Sequence, residues 1–259
     1  LPAPEGIQIF LEHVKEHRAV LVLRGEGLGA DLNDTDPQET GVPPLPVQAR
    51  SPGSEKSARL VQEILDQIRE ILRDQDVVTG VLARGFAAHQ GIPGFRERYG
   101  LRALAIAQYP MYRGVARLVG MDVQDVPASP EELITVLKKH VGEYDFFFLH
   151  FKYTDSRGED GDFDAKVEAI ESVDALLPGI LELAPEVLMV TGDHSTPATF
   201  AAHSWHSVPV LIASPWARPT AGASFGETEC RKGDLGTFEG KHLMSLALAH
   251  AGRLAKFGA

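Results

Sequence analysis

Three short apolar runs with a helical stretch between two of them constrain the fold more than any other feature of the sequence. The runs are DFFFLHF, EVLMVT and VPVLIA, and the amphipathic stretch KVEAIESVDALL lies between the first and the second. Strands that are apolar on both faces are typical of parallel sheets that are covered by helices. The sequence therefore predicts an α/β fold with a mostly parallel sheet.

The amino-terminal half predicts further elements of the same kinds. We expect a helix around Gln8 to Glu16, and the run AVLVL, Ala19 to Leu23, is typical of a buried strand. Apolar residues at three- and four-residue steps from Ala58 to Leu72 indicate a long amphipathic helix. LRALAIA predicts a strand, GVARLVGM predicts a short helix that Gly120 closes, and SPEELITVLKKH predicts a helix with Ser129 as its N-cap.

The arginines are concentrated in the first half of the chain. Of the 16 arginines, 12 precede Pro127. This change in composition indicates a domain boundary there, with one domain in residues 1–127 and a second in residues 128–259. An arginine-rich pocket in the first domain could serve a small anion, because guanidinium groups bind phosphate and carboxylate well.

Composition also argues against several classes of function. The net charge of −11 at pH 7 repels polyanions, so we expect neither nucleic acid nor an anionic membrane as the main partner. No apolar run approaches the roughly 20 residues that cross a bilayer, and the start, LPAPEGIQIF, lacks the features of a signal peptide. We therefore expect a cytoplasmic protein.

Polar side chains cluster at the ends of three predicted strands. Taken singly, such clusters are more often helix caps, turns or hydrogen-bonded surface groups than ligands. Taken together they point to a metal site, because the carboxyl ends of parallel strands meet at one edge of a sheet and distant segments can supply carboxylate and imidazole ligands there. The side chains concerned are Asp155 and Glu159 after DFFFLHF, Asp193 and His194 after EVLMVT, and His203 and His206 before VPVLIA.

Two other motifs are weaker candidates for a site. GEGLGA formally matches a dinucleotide-binding fingerprint, but the proline-containing sequence that follows predicts no helix to receive a pyrophosphate. Ser195 beside His194 suggests a hydrolase nucleophile, yet a Ser-Thr-Pro turn accounts for it better.

Five segments of the chain together resemble the archaeal-type, 2,3-bisphosphoglycerate-independent phosphoglycerate mutases of the alkaline phosphatase superfamily. They are RGEGLGADLNDTDPQETG, YGLRALAIAQYPMYRGVARLVGMDV, HFKYTDSRGEDGDFDAKVEAIESVD, TGDHSTPATFAAHSWHSVPVLIA and GASFGETECRKGDLGTFEGKHLM. The resemblance implies an enzyme of glycolysis and gluconeogenesis that moves phosphate between the 3- and 2-hydroxyls of glycerate, using two metal ions and a phosphorylated serine.

The resemblance also implies a fold. Residues 128–259 would be the carboxy-terminal part of an alkaline-phosphatase-like three-layer domain, which is partial in this chain and contains a mostly parallel sheet. Residues 1–127 would be a second, inserted α/β domain that binds substrate.

Ligand roles follow from the same resemblance. Asp155 and His203 would bind one metal ion, and Asp193 and His194 would bind the other. The expected substrate ligands, which would hold the phosphate and the carboxylate, are Arg24, Arg84, Arg113 and Lys152.

The chain departs from the family pattern in two places. The family pattern reads D-x-x-G-H-D-G, whereas DSRGEDG places Glu159 where histidine is expected. A carboxylate also ligates divalent metals, with a preference for harder ions, so Glu159 is retained as a metal ligand. The family's amino-terminal segment, with another metal-binding aspartate and the nucleophilic serine, has no counterpart before Leu1. Either the chain is a fragment of a longer protein, as we expect, or it is a relative that no longer performs the chemistry.

The resemblance thus implies a mutase that interconverts 3-phosphoglycerate and 2-phosphoglycerate with two divalent ions, chosen from Mn²⁺, Zn²⁺, Mg²⁺ and Co²⁺. Its expected partner is a small phosphorylated three-carbon acid. Whether the protein also forms a homo-oligomer is left open. Two alternatives also stay open. One is a phosphatase or phosphonate hydrolase of the same superfamily, and the other is a non-catalytic relative that binds a metal or a phosphosugar.

Overall fold

A computed structural model gives two compact units, residues 1–91 and 92–259. It describes residues 3–15, 17–124, 129–218 and 224–254. The boundary expected at Pro127 lies outside the described residues. The structure separates the units earlier in the chain, between Gly91 and Ile92, because strands on both sides of Pro127 share one sheet. Within the described ranges, none of the helices has the length and apolarity needed to span a membrane.

The first unit consists of a β-hairpin, irregular loops and one long helix. Strand β1, Gln8–Lys15, pairs antiparallel with β2, Arg18–Arg24. Helix α1, Glu55–Ile71, confirms the amphipathic pattern read from the sequence, because its apolar side is buried. The buried apolar residues of α1 are Ala58, Leu60, Val61, Ile64 and Leu65.

The helix predicted around Gln8 to Glu16 is wrong over the described part, which extends to Lys15. This stretch is a strand because its backbone pairs with β2, for example with Ile9 opposite Leu23. Sheet pairing therefore overrides the local pattern of apolar residues. The strand predicted for Ala19 to Leu23 is confirmed, but its side chains are exposed or half-buried and not buried as expected.

The loop formed by GEGLGA packs on the start of α1. The Gly29 N–H donates to the Ser57 hydroxyl at 2.9 Å, and the Lys56 ammonium donates to the Glu26 carbonyl at 2.7 Å. No helix follows in residues 31–41. The prediction that no helix follows this motif is therefore confirmed.

The second unit is built around a parallel sheet. Strand β3 (Ala103–Ala107) lies between β4 (Asp122–Gln124) and β5 (Phe146–His150) and pairs parallel with both. All five residues of β3 are buried, as expected of a central parallel strand. The α/β class with a parallel sheet is therefore confirmed. The last two strands, β6 (Leu188–Thr191) and β7 (Val210–Ala213), differ from this expectation because they form a separate antiparallel pair. The elements of this unit are α2 (Phe95–Tyr99), β3 (Ala103–Ala107), α3 (Pro110–Leu118), β4 (Asp122–Gln124), α4 (Pro130–His140), β5 (Phe146–His150), α5 (Tyr153–Glu159), α6 (Phe163–Asp174), α7 (Leu177–Leu181), β6 (Leu188–Thr191), β7 (Val210–Ala213), α8 (Glu227–Cys230) and α9 (Leu243–His250).

The residues that the sequence predicts to end α3 and to begin α4 are confirmed in the structure. Gly120 follows α3 with φ of 73°, a left-handed conformation that glycine adopts readily. The Ser129 hydroxyl accepts from the Glu132 N–H at 3.3 Å and caps α4.

An ion pair ties the residue before β3 to the residue before β5. The Asp145 carboxylate accepts from the backbone N–H and from Nε of Arg102, both at 3.0 Å, and Arg253 lies 3.5 Å away. The hydrogen bonds from Arg102 lower the pKa of Asp145 to about 2.

Replacing Asp145 with asparagine should destabilise the protein in a pH-dependent way. The folded carboxyl has the lower pKa, so its stabilising effect is complete above the unfolded pKa of about 4. The effect is lost as the pH falls from about 4 towards about 2. Urea unfolding should give a difference in free energy between wild type and Asp145→Asn at pH 7 that shrinks on acidification. A difference that does not change with pH would contradict this role.

Candidate metal centre

Segments that follow β5 and β6 bring carboxylates and imidazoles together. Asp155 lies in the first turn of α5, directly after β5, and Asp193 and His194 follow the last residue of β6. His203 lies in the loop that leads to β7. One ligand atom from each of Asp155, His194 and His203 lies within 4.8 Å of the others. Residues that are distant in sequence therefore meet at the expected place.

Asp155 is the centre of this cluster. Its Oδ1 lies 3.6 Å from Nε2 of His203 and 3.8 Å from Nδ1 of His194. The same oxygen accepts from the Thr196 hydroxyl at 2.5 Å, and Lys152 donates to the other oxygen. Burial alone would raise the pKa of Asp155, but the hydrogen bonds from Lys152 and Thr196 outweigh it and lower the pKa.

Asp193 lies on the other side of His194. Its Oδ2 is 3.7 Å from Nε2 of His194 and accepts a hydrogen bond from the Tyr112 hydroxyl. Burial raises the pKa of Tyr112, and the bond to Asp193 raises it further. Burial would also raise the pKa of Asp193, but the bond from Tyr112 and the nearby His194 lower it.

Glu159 lies at the edge of the cluster. Its Oε1 is 3.3 Å from Nε2 of His203, and its Oε2 is 3.9 Å from Nζ of Lys152. His206 contacts residues outside the cluster: its Nδ1 is 2.9 Å from the Ser204 hydroxyl, and its ring stacks on Trp205. Of the two histidines in this loop, His203 belongs to the cluster.

The expected substrate ligands are placed in different parts of the chain. Lys152 lies in the cluster, with its ammonium 5.5 Å from the centre of the Tyr109 ring. Arg113 follows Tyr112 in α3. Arg24 and Arg84 belong to the first unit, where Arg24 lies over the Phe10 ring and Arg84 lies 3.6 Å from Asp36. The substrate-binding roles of all four stay predictions.

Four residues of the site were not predicted, namely Tyr112, His150, Lys166 and Thr196. The ring of His150 stacks on Tyr112 with centroids 3.6 Å apart, and burial lowers the pKa of His150. Lys166 donates to the carbonyls of Thr154 and Thr196 at 3.0 and 2.7 Å. Thr196 shares a turn with His194, and His150 ends a strand, so the position of each in the sequence could have indicated a place in the site. Nothing in the sequence around Tyr112 or Lys166 indicates that these residues belong to the site.

The donor set fits a divalent cation. Carboxylate oxygen and imidazole nitrogen are ordinary ligands for such ions, and the ligand atoms of Asp155, His194 and His203 are close enough to share one. Asp155 also has hydrogen-bonding partners that orient it, which is typical of metal ligands in proteins. These residues could therefore hold a metal ion.

Two family models match the chain. The model described as the Metalloenzyme superfamily matches residues 44–250. The model described as 2,3-bisphosphoglycerate-independent phosphoglycerate mutase matches residues 2–78.

Curated relatives are similar over nearly all of this chain. A protein of Thermus thermophilus named "Probable 2,3-bisphosphoglycerate-independent phosphoglycerate mutase" is 48% identical over 262 residues, covering 100% of this chain. A protein of the same name from Thermotoga neapolitana is 48% identical over 255 residues, covering 98% of this chain. The chain spans 64% of the length of each of these relatives.

Solved structures support the fold. The PH0037 protein from Pyrococcus horikoshii superposes with a TM-score of 0.69 and 32% identity, over 80% of this chain and 60% of that one. The cofactor-independent phosphoglycerate mutase from Thermoplasma acidophilum gives a TM-score of 0.74 with 22% identity, over 96% of this chain and 67% of that one. At this identity the second likeness shows the fold alone. Together with the superfamily match, it confirms a partial alkaline-phosphatase-like domain.

Close packing beneath the cluster can be tested at Gly158. A Cβ at this position would overlap the carbonyl oxygen of Thr196 and would lie 2.9 Å from Nζ of Lys166. We expect Gly158→Ala to lower the free energy of unfolding by about 1–3 kcal/mol in urea titrations, because backbone must shift. At Gly142 an added Cβ meets nothing within 4 Å, so Gly142→Ala should change stability by no more than about 0.5 kcal/mol. Equal stability of both variants would show that α5 is free to move away from the loop.

Proposed function

The chain belongs to the metalloenzyme superfamily, and from this membership we propose that its metal centre serves a phosphoglycerate mutase that interconverts 3-phosphoglycerate and 2-phosphoglycerate. The observation that carries the proposal is the convergence of Asp155, His194 and His203 from three separate segments. The identity of 48% to proteins named as probable mutases supports this reaction over others of the superfamily. We place the enzyme in the cytoplasm, in glycolysis and gluconeogenesis.

The proposed centre holds two divalent ions. Asp155, His203 and Glu159 would hold one ion, and Asp193 and His194 would hold the other. Bound ions of this kind polarise phosphoryl oxygens and lower the pKa of a nucleophilic hydroxyl. We propose Mn²⁺ ahead of Zn²⁺, Co²⁺ and Mg²⁺, because three carboxylates, with Glu159 in place of a histidine, favour a hard ion, and Mn²⁺ also accepts imidazole ligands.

The remaining residues are proposed to bind the substrate, a small phosphorylated three-carbon acid. Lys152 supports this role because its ammonium lies at the edge of the proposed metal site, beside Asp155 and Glu159, and its positive charge would attract an anionic oxygen. Arg24, Arg84 and Arg113 would grip phosphate and carboxylate through paired N–H groups. The nucleophilic serine is not assigned to any residue of this chain.

The mutase assay tests the reaction directly. We expect full-length protein loaded with Mn²⁺ to convert 3-phosphoglycerate into 2-phosphoglycerate. Asp155→Asn should lower kcat by about a hundredfold or more, since it removes a charged ligand. The control is Asp160→Asn, because Asp160 pairs with Arg157 at 3.2 Å on the surface and should leave kcat within about twofold. Release of inorganic phosphate without isomerisation would replace the proposal with a hydrolase, and absence of both reactions with every metal would refute it.

Metal content tests the ligand set independently of turnover. His194→Ala should remove at least one of the two bound Mn²⁺ ions per chain, measured by elemental analysis after dialysis. His206→Ala is the matched control, because His206 lies in the neighbouring loop and bonds to Ser204. It should keep the wild-type content. Unchanged metal in His194→Ala would remove His194 from the proposed centre.

A further inference from the structure

A buried hydroxyl connects the two carboxylate–histidine pairs of the metal centre. Oγ1 of Thr196 lies 2.5 Å from Oδ1 of Asp155 and 3.0 Å from Nδ1 of His194. The residue is 5% exposed, so water does not compete for these bonds. The roles described above use this hydroxyl only as a donor to Asp155, and its contact with His194 has no role so far.

The direction of each bond follows from the number of protons available. A hydroxyl has one proton to donate, and an ionised carboxylate can only accept. Thr196 therefore donates to Asp155. Its oxygen then offers lone pairs to His194, so Nδ1 of His194 must be the donor of the second bond.

No contact of comparable length supports a proton on Nε2 of His194 instead of Nδ1. A proton on Nε2 of His194 would face Oδ2 of Asp193 at 3.7 Å, which is too long for a hydrogen bond. Nδ1 of His194 is 3.8 Å from Oδ1 of Asp155, so that contact does not compete with Thr196 either. The hydroxyl at 3.0 Å is the nearer partner of this ring.

We propose that Thr196 is a positioning residue that fixes the proton of His194 on Nδ1 and leaves the lone pair of Nε2 directed to the metal site beside Asp193. A neutral imidazole carries one N–H, so the hydrogen bond at one nitrogen decides which nitrogen can ligate a metal. The proposal rests on the proposed function only for the metal that Nε2 receives. The position of the proton is a property of the protein itself.

The fold holds Thr196 in place from the backbone side. Lys166 donates to its carbonyl at 2.7 Å and to the carbonyl of Thr154 at 3.0 Å, which joins the His194 turn to the start of α5. Gly158 allows α5 to approach that carbonyl closely. The hydroxyl is therefore presented to Asp155 and His194 by a turn that is anchored from two directions.

Three forms of the full-length protein separate this role from simple packing. Thr196→Val keeps the shape and removes the hydroxyl, whereas Thr196→Ser keeps the hydroxyl. Long-range ¹H–¹⁵N NMR of metal-free protein labelled at histidine, at about pH 8.5 and so above the ordinary histidine pKa of about 6.5, reports which nitrogen is protonated. The His194 signals are assigned by their loss in His194→Ala.

We expect the Nδ1–H form of His194 in wild type and in Thr196→Ser, and a mixture or the Nε2–H form in Thr196→Val. Titration with MnCl₂ by calorimetry should show affinity at one of the two sites falling by about 10- to 100-fold in Thr196→Val and by no more than about threefold in Thr196→Ser.

An Nε2–H proton on His194 in wild type would overturn the proposal, and so would a Thr196→Val protein with wild-type tautomer and affinity. If Thr196→Val fails to fold, as judged by circular dichroism, the tautomer in wild type and in Thr196→Ser decides. A wild type with the expected tautomer and Mn²⁺ affinity but without mutase activity would refute the proposed function and leave the role of Thr196 intact.

Discussion

A carboxylate that is largely removed from water must regain the lost hydration from donors and positive charge, and Asp155 imposes this requirement on the segments around it. Its side chain is 13% exposed. Lys152 from the turn before α5, Thr196 from the turn after β6 and His203 from the next loop all approach it. The segments that supply these partners cannot move apart without leaving a buried charge unpaired, so the same interaction that stabilises the turns also holds the ligands together.

The fold could be predicted where local pattern and tertiary structure agree. Helix α1 has an apolar face at helical spacing, and β3 and β5 are short apolar runs, so each sequence predicts the element that packing requires. Strand β1 could not be predicted, because QIFLEHVK has no clean period and its pairing with β2 decides its form. In the site, strand ends predicted the convergence of Asp155, His194 and His203. The partners of Thr196 and Tyr112 depend on distances of a few tenths of an ångström, which spacing in a sequence does not encode.

Superfamily membership and chemistry are established by different observations. The superfamily model matches the sequence, the superposed structures match the arrangement of helices and strands, and a fold of this kind can carry several reactions. The chain spans 64% of the length of its curated relatives. Within this chain, carboxylates and imidazoles from separate segments meet after the carboxyl ends of β5 and β6. Chemistry must be argued from that cluster.

The net charge of −11 does not conflict with an anionic substrate, because charge is screened beyond about 8–10 Å at physiological salt and the site acts locally. Two divalent ions would carry more positive charge than the carboxylates of Asp155, Glu159 and Asp193 carry negative charge. A glutamate in place of the histidine expected from the family reduces this surplus by one unit. Lys152 restores it, since its ammonium lies 3.9 Å from Oε2 of Glu159 and also contacts Asp155. Under the proposed function, Glu159 and Lys152 would act as a pair, in which the lysine balances the added carboxylate and keeps the site attractive to phosphate.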